Sequence, residues 1–85
     1  MNWEDVRQAF PKQWVLIEAT QAHINGQSER ILEEIAPLKK FSNSPEAMRA
    51  YQEIHREDPN RELYVLHTSR KKPNIIEKKW VGVRR

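Results

Sequence analysis

Trp14-Val15-Leu16-Ile17-Glu18-Ala19-Thr20, running on through Gln21-Ala22-His23-Ile24 to Asn25-Gly26, is the stretch on which the fold depends. Aromatic and β-branched side chains crowd its first half, and Pro11 precedes it. Such runs suit the pleated, half-buried surface of a strand, and Asn-Gly tolerates the positive φ of a tight hairpin turn. A strand from Gln13 to about Ile24 is therefore expected. The apolar positions Ile31, Leu32, Ile35, Ala36 and Leu38 then place a second strand back against the first. Pro37 has no amide hydrogen, so the end of that strand belongs at a sheet edge or a bulge. Residues 29 to 36 also satisfy a helical period, which leaves a helix there as the competing reading.

Upstream, Asn2 is placed to cap a short helix whose apolar residues Trp3, Val6 and Phe10 form one stripe, available for docking, and Pro11 ends it. Downstream, Ser44-Pro45-Glu46 reads as a helix start: Ser44 as cap, Pro45 as first helical residue, Glu46 against the positive end of the dipole. Ala47, Met48, Tyr51 and Ile54 make its apolar face, and Asp58-Pro59-Asn60 breaks it. Leu63 to Leu66 then reads as a buried strand, Ser69 to Asn74 as a basic turn, and Ile75 to Val83 as a last strand. That last strand is expected inside the sheet or at the margin opposite Pro37.

The order α-β-β-α-β-β implies an α+β fold, a two-layer sandwich with a mainly antiparallel sheet. A single domain over 1–85 is expected: N-terminal helix 1–11, β-hairpin 12–41, main helix 44–57 and C-terminal strands 61–83. The expected core contains Trp14, Leu16 or Ile17, Tyr51, Ile54, Leu63, Val65 and Trp80.

Eighty-five residues leave no room for a second core. The absence of cysteine excludes disulfides, thiol nucleophiles and thiolate metal sites, and points to the cytoplasm. No stretch reaches the roughly 18 apolar residues of a membrane span, and the acidic start Met1-Asn2-Trp3-Glu4-Asp5 is unlike a signal peptide. Charge is asymmetric. Residues 70 to 85 hold Arg70, Lys71, Lys72, Lys78, Lys79, Arg84 and Arg85 against Glu77, a local +6, whereas residues 1 to 69 carry −3.

Phe10-Pro11-Lys12-Gln13-Trp14-Val15, a hairpin, Ser44-Pro45-Glu46-Ala47 and Leu63-Tyr64-Val65 together resemble a group of small prokaryotic domains of unknown function. Their pattern is F/Y-P-x-x-W-V, a hairpin, S-x-E-A and a strand. The resemblance spans residues 10 to 66 and implies the fold of a small bacterial domain without implying an activity. The leading helix, the longer second strand and the added basic strand depart from that pattern.

Chemistry is sparse. His23, His55 and His67 lie 32 and 12 residues apart, unlike the spacings of ligands carried on one element. Among them His67, followed by Thr68, Ser69 and Arg70, is the candidate titrating site. Two glycines cannot build a phosphate cradle, so no nucleotide chemistry, cofactor or metal is implied. If Asn25-Gly26 is a two-residue turn, Glu18 faces Glu33; with a three-residue loop it faces Glu34. Such a carboxylate pair acts as acid or base if a neighbour raises one pKa, whereas Lys78 or Lys79 opposite it makes an ordinary surface ladder.

The basic segment Arg70, Lys71, Lys72, Lys78, Lys79, Arg84 and Arg85, with Trp80 among them, suits a polyanion. Lysines on an edge strand also guard against aggregation. The expectation is a non-enzymatic binding or regulatory module meeting an acidic protein or nucleic acid, with no membrane association. The alternatives are a protein-interaction or homodimer module using a sheet edge or the stripe of helix 3 to 10, and a small enzyme built on Glu18 with Glu33 or Glu34, or on His67 with Arg70.

Overall fold

In the computed structural model, which describes residues 1–76, strand β1 (Trp14–Ile24) carries Val15, Leu16 and Ile17 with no solvent exposure. Successive strand residues point to opposite faces, so burying three in a row requires cover on both sides of the sheet. β1 lies between β2 (Glu29–Phe41) and β3 (Leu63–His67), antiparallel to both, and the short β4 (Ile75–Ile76) pairs with β2 in the order β3-β1-β2-β4.

Helix α1 (Trp3–Ala9) covers one face. Its start is fixed by a reciprocal cap, Asp5 N donating to Asn2 Oδ1 at 2.8 Å and Asn2 N to Asp5 Oδ2 at 3.1 Å. Trp3 and Val6 then join Val15, Ile17, Ala19, Leu32, Ile35 and Leu66 in one buried cluster. Helix α2 (Ser44–Glu57) packs against β3, β1 and β2. By strand alternation Leu16 and Leu63 point away from the α1 cluster, and they are buried together with Ala47 of α2. Each fully buried aliphatic side chain contributes about 1.5–3 kcal/mol, so α1 matters as much to the core as the longer α2.

The α+β class and the element order agree with the sequence, and the segment 29 to 36 is strand rather than helix. Several details are corrected. Trp14, Tyr51, Ile54 and Val65 are only half-buried, while the largest fully buried side chains are Leu16, Ile17, Val6 and Val15. The stripe of the N-terminal helix is used on the chain's own sheet, because Trp3 and Val6 leave 6% and 0% of their surface exposed. The cap of α2 is Asn43, whose side chain accepts from Glu46 N at 3.0 Å. β4 lies on the same side of the sheet as Pro37 and not opposite it. Trp80 and the part of the expected last strand beyond Ile76 lie outside the described residues.

Pro37 itself is accommodated by the outer edge of β2. Ile35 N donates outward to Met1 O at 2.8 Å. The backbone nitrogen two residues on points the same way, so no ladder bond to β1 is lost at Pro37.

Candidate polyanion-binding surface

The basic turn begins where β3 ends, and a buried hydroxyl holds its base. Thr68 N donates to Gln13 O at 2.9 Å, its Oγ1 accepts from Gln13 N at 3.0 Å, and its Oγ1 donates to Phe10 O at 2.6 Å. Arg7 Nε reaches Thr68 O at 3.0 Å, and the Trp3 indole N–H reaches Arg70 O at 2.9 Å. The backbone is thereby fixed while the side chains of Arg70, Lys71 and Lys72 remain exposed. None of the three forms an ion pair among the described residues. Lys78, Lys79, Arg84 and Arg85 lie outside the described residues.

Further cations stand at the end of the sheet where the turn begins, whereas Lys72 has reached the other end, in a groove with Glu29, Arg30, Ile31 and Leu32 beside β4. Trp14 pairs across with Phe41 on one side and with His67 on the other, which sets three rings in a row over β2, β1 and β3. The Trp14 and His67 rings meet edge to face at 5.1 Å, and Lys39 Nζ stands 5.8 Å from the Phe41 centroid. Lys12, just before β1, holds a left-handed backbone with φ 54°. It shares a groove of about 370 Å³ with Gln13, Lys40, Phe41 and Ser42. A second groove of about 370 Å³ runs from Lys12 past Arg7 to Thr68 and Ser69.

His67 Nδ1 accepts from Ser69 N at 3.1 Å and lies 2.8 Å from Ser69 Oγ, so this imidazole closes the turn rather than standing free. His23 Nδ1 is 3.0 Å from Glu33 Oε1, and His55 stacks on Tyr51 at 5.5 Å. No group of three or more metal-ligating side chains occurs among the described residues.

The expected pairing of Glu18 with Glu33 or Glu34 does not form. Asn25 begins the turn instead of sitting at its centre: its Oδ1 accepts from Gln27 N and Glu29 N, and its backbone N donates to Glu29 O. Ser28, at φ 63°, supplies the left-handed residue that closes a three-residue loop over 26–28. The register therefore shifts, and Glu18 faces Ala36. Glu33 goes to His23, and Glu34 to the amino group of Met1 at 3.3 Å.

Glu18 is gripped by Arg61 at 2.7 and 3.2 Å, and this hydrogen-bonded guanidinium lowers its pKa against the opposing effect of burial. Next along the chain, Glu62 takes both arms of the Arg30 fork at 2.8 Å and the Tyr64 hydroxyl at 2.6 Å. The bond to Arg30 lowers the Glu62 pKa, while burial and the bond to Glu62 push Tyr64 up to about 12. Adjacent residues of opposite charge at the head of β3 thus clamp two different strands.

Sequence reasoning missed Lys12, Lys39 and Lys40 as cations at the end of the sheet where the basic turn begins. The pairing of Trp14 with Phe41 would have revealed them, but it follows only once the register is known. No family model matches the chain, and neither the curated proteins nor the solved structures give a match. No helix among the described residues is long and apolar enough to cross a membrane.

Proposed function

We propose that this chain is a cytoplasmic, non-enzymatic binding or regulatory module, folded as one domain, which meets an acidic partner through its basic C-terminal segment. The observation that carries this reading is the turn at Arg70, Lys71 and Lys72, whose backbone is anchored and whose three cations are exposed without a counter-charge among the described residues. A fixed backbone leaves only the side chains to be ordered when these cations engage an anion, and each phosphate they neutralise releases a counterion. The carboxylates of the enzymatic alternative, Glu18, Glu33 and Glu34, are held instead by Arg61, His23 and Met1.

A sheet-edge dimer is favoured less. The outer edge of β2 carries Pro37, Lys39 and Lys40, the residue types that discourage edge-to-edge pairing. Titrating the chain with a labelled mixed-sequence oligonucleotide at low and high salt tests the proposal: binding at low salt that weakens steeply with added salt supports it, and no binding at either salt refutes it for nucleic acid.

A further inference from the structure

We infer that the polyanion track extends across the end of the sheet, from the turn at Arg70 through Lys12 to Lys40 and Phe41, and that its ligand is single-stranded nucleic acid. This rests on the polyanion reading above and names the partner. The groove between Lys12 and Lys40 is the part of this surface with the right charge. Gln13, Phe41 and Ser42 complete its lining, and no carboxylate among the described residues enters it.

Its neighbours differ. The groove on the α2 side adds Arg49 but also Glu46 and Glu53, which repel phosphate. On the other side Arg7 is neutralised by Glu4 at 3.0 Å, leaving Lys12 as the cation that connects the groove to Ser69 and the basic turn. Neither Lys12 nor Lys40 has an ion-pair partner among the described residues. Two lysines and a serine hydroxyl offer a phosphate both charge and hydrogen-bond donors.

The rings decide which polyanion. Phe41, Trp14 and His67 are partly exposed at adjacent positions over three strands on the α2 face, opposite to that of Lys40, and Phe41, which lines the groove at the end of the sheet, joins the two. An unpaired base presents a π-face to such a ring, whereas a duplex keeps its bases stacked inside and an acidic peptide or polyphosphate has none to offer. A single strand therefore uses both halves of this surface.

The test compares mixed-sequence single-stranded DNA, the same sequence as a duplex, and base-free polyphosphate, by fluorescence anisotropy or competition at two salt concentrations. Wild type is expected to bind the single strand tightest. Lys12→Asn combined with Lys40→Gln, the asparagine chosen because it tolerates the left-handed backbone at that position, should weaken single-strand binding about tenfold and reduce the salt slope by about 0.7 per lysine removed. Phe41→Leu should weaken single-strand binding about fivefold while leaving polyphosphate unchanged, consistent with loss of one stacking face. Thermal melts of each variant confirm that it folds. Wild-type affinity in the Lys12/Lys40 variant alongside lost affinity in Lys71→Gln/Lys72→Gln would overturn the track and spare the basic turn. Duplex or polyphosphate bound as tightly as the single strand would overturn the choice of ligand. No binding of any of the three by wild type would overturn the track and refute the functional reading for nucleic acid as well.

Discussion

Thr68 Oγ1 lies 2.6 Å from the Phe10 carbonyl and ties the end of β3 to the loop that leads from α1 into β1. One hydroxyl serves as donor to Phe10 and as acceptor from Gln13 N, with 3% of the residue exposed. The basic turn leaves the sheet at this point, so the stability of the fold and the placement of the cations share one anchor.

Replacing Thr68 by Val keeps the shape and removes both bonds. A partly buried amide and a partly buried carbonyl then lose their partner, at a cost of about 1 kcal/mol. For a chain of this size each kcal/mol lowers the melting temperature by about 4–8 °C. Thr68→Ser retains the hydroxyl and should melt closer to wild type; equal melting of the Val variant and wild type would show that the anchor carries no energy.

The two Arg–Glu clamps predict the acid limb of stability. Glu18 and Glu62 have pKa values lowered in the fold from 4.5, because Arg61 and Arg30 hold the charged forms. Their contribution is present above the unfolded value and is lost as pH falls through the lower folded values. Glu18→Gln combined with Glu62→Gln should be less stable than wild type at neutral pH and approach it in acid. Denaturant midpoints that stay a constant distance apart from neutral pH down to strong acid would contradict this.

Tyr64 predicts the alkaline limb. Its phenol is raised to about 12, so the neutral form is favoured in the fold. The associated stability is complete below the ordinary value near 10 and disappears as pH rises through about 12. Spectrophotometric titration should show a late tyrosine ionisation that Tyr64→Phe abolishes; an unchanged late component in the variant would assign it elsewhere.

Local signals made the elements legible: β-branched residues in β1, Asn2 before Trp3, and Pro45 near the start of α2. Register and sidedness were not. Asn-Gly is compatible with turns of several lengths, and only the Asn25 side chain, accepting from Gln27 and Glu29 amides, fixes which one forms. That shift separates Glu18 from Glu33 and Glu34. The stripe of Trp3 and Val6 was visible as an apolar face, but sequence cannot say whether a chain covers its own sheet or a partner with it. Arg61 and Glu62 sit outside any motif, and their pairing with Glu18 and Arg30 depends on strand order. Lys12 and Lys40 are far apart in sequence and meet only because Trp14 pairs with Phe41.

Charge on the C-terminal segment is what an acidic partner would meet, and the salt dependence of binding reads that charge. Log affinity for a labelled mixed-sequence oligonucleotide is compared with log salt concentration for wild type and for Lys71, Lys72, Lys78 and Lys79 replaced together by Gln. Substitutions at exposed positions such as Lys71 and Lys72 change stability by no more than about 0.5 kcal/mol each, and a thermal melt of the variant checks that it folds. Wild-type binding should fall log-linearly with salt, and the variant should show a slope shallower by about 0.7 to 0.9 for each phosphate it no longer neutralises. No wild-type binding at low salt, or a variant with unchanged affinity and slope that only aggregates more readily, would contradict it.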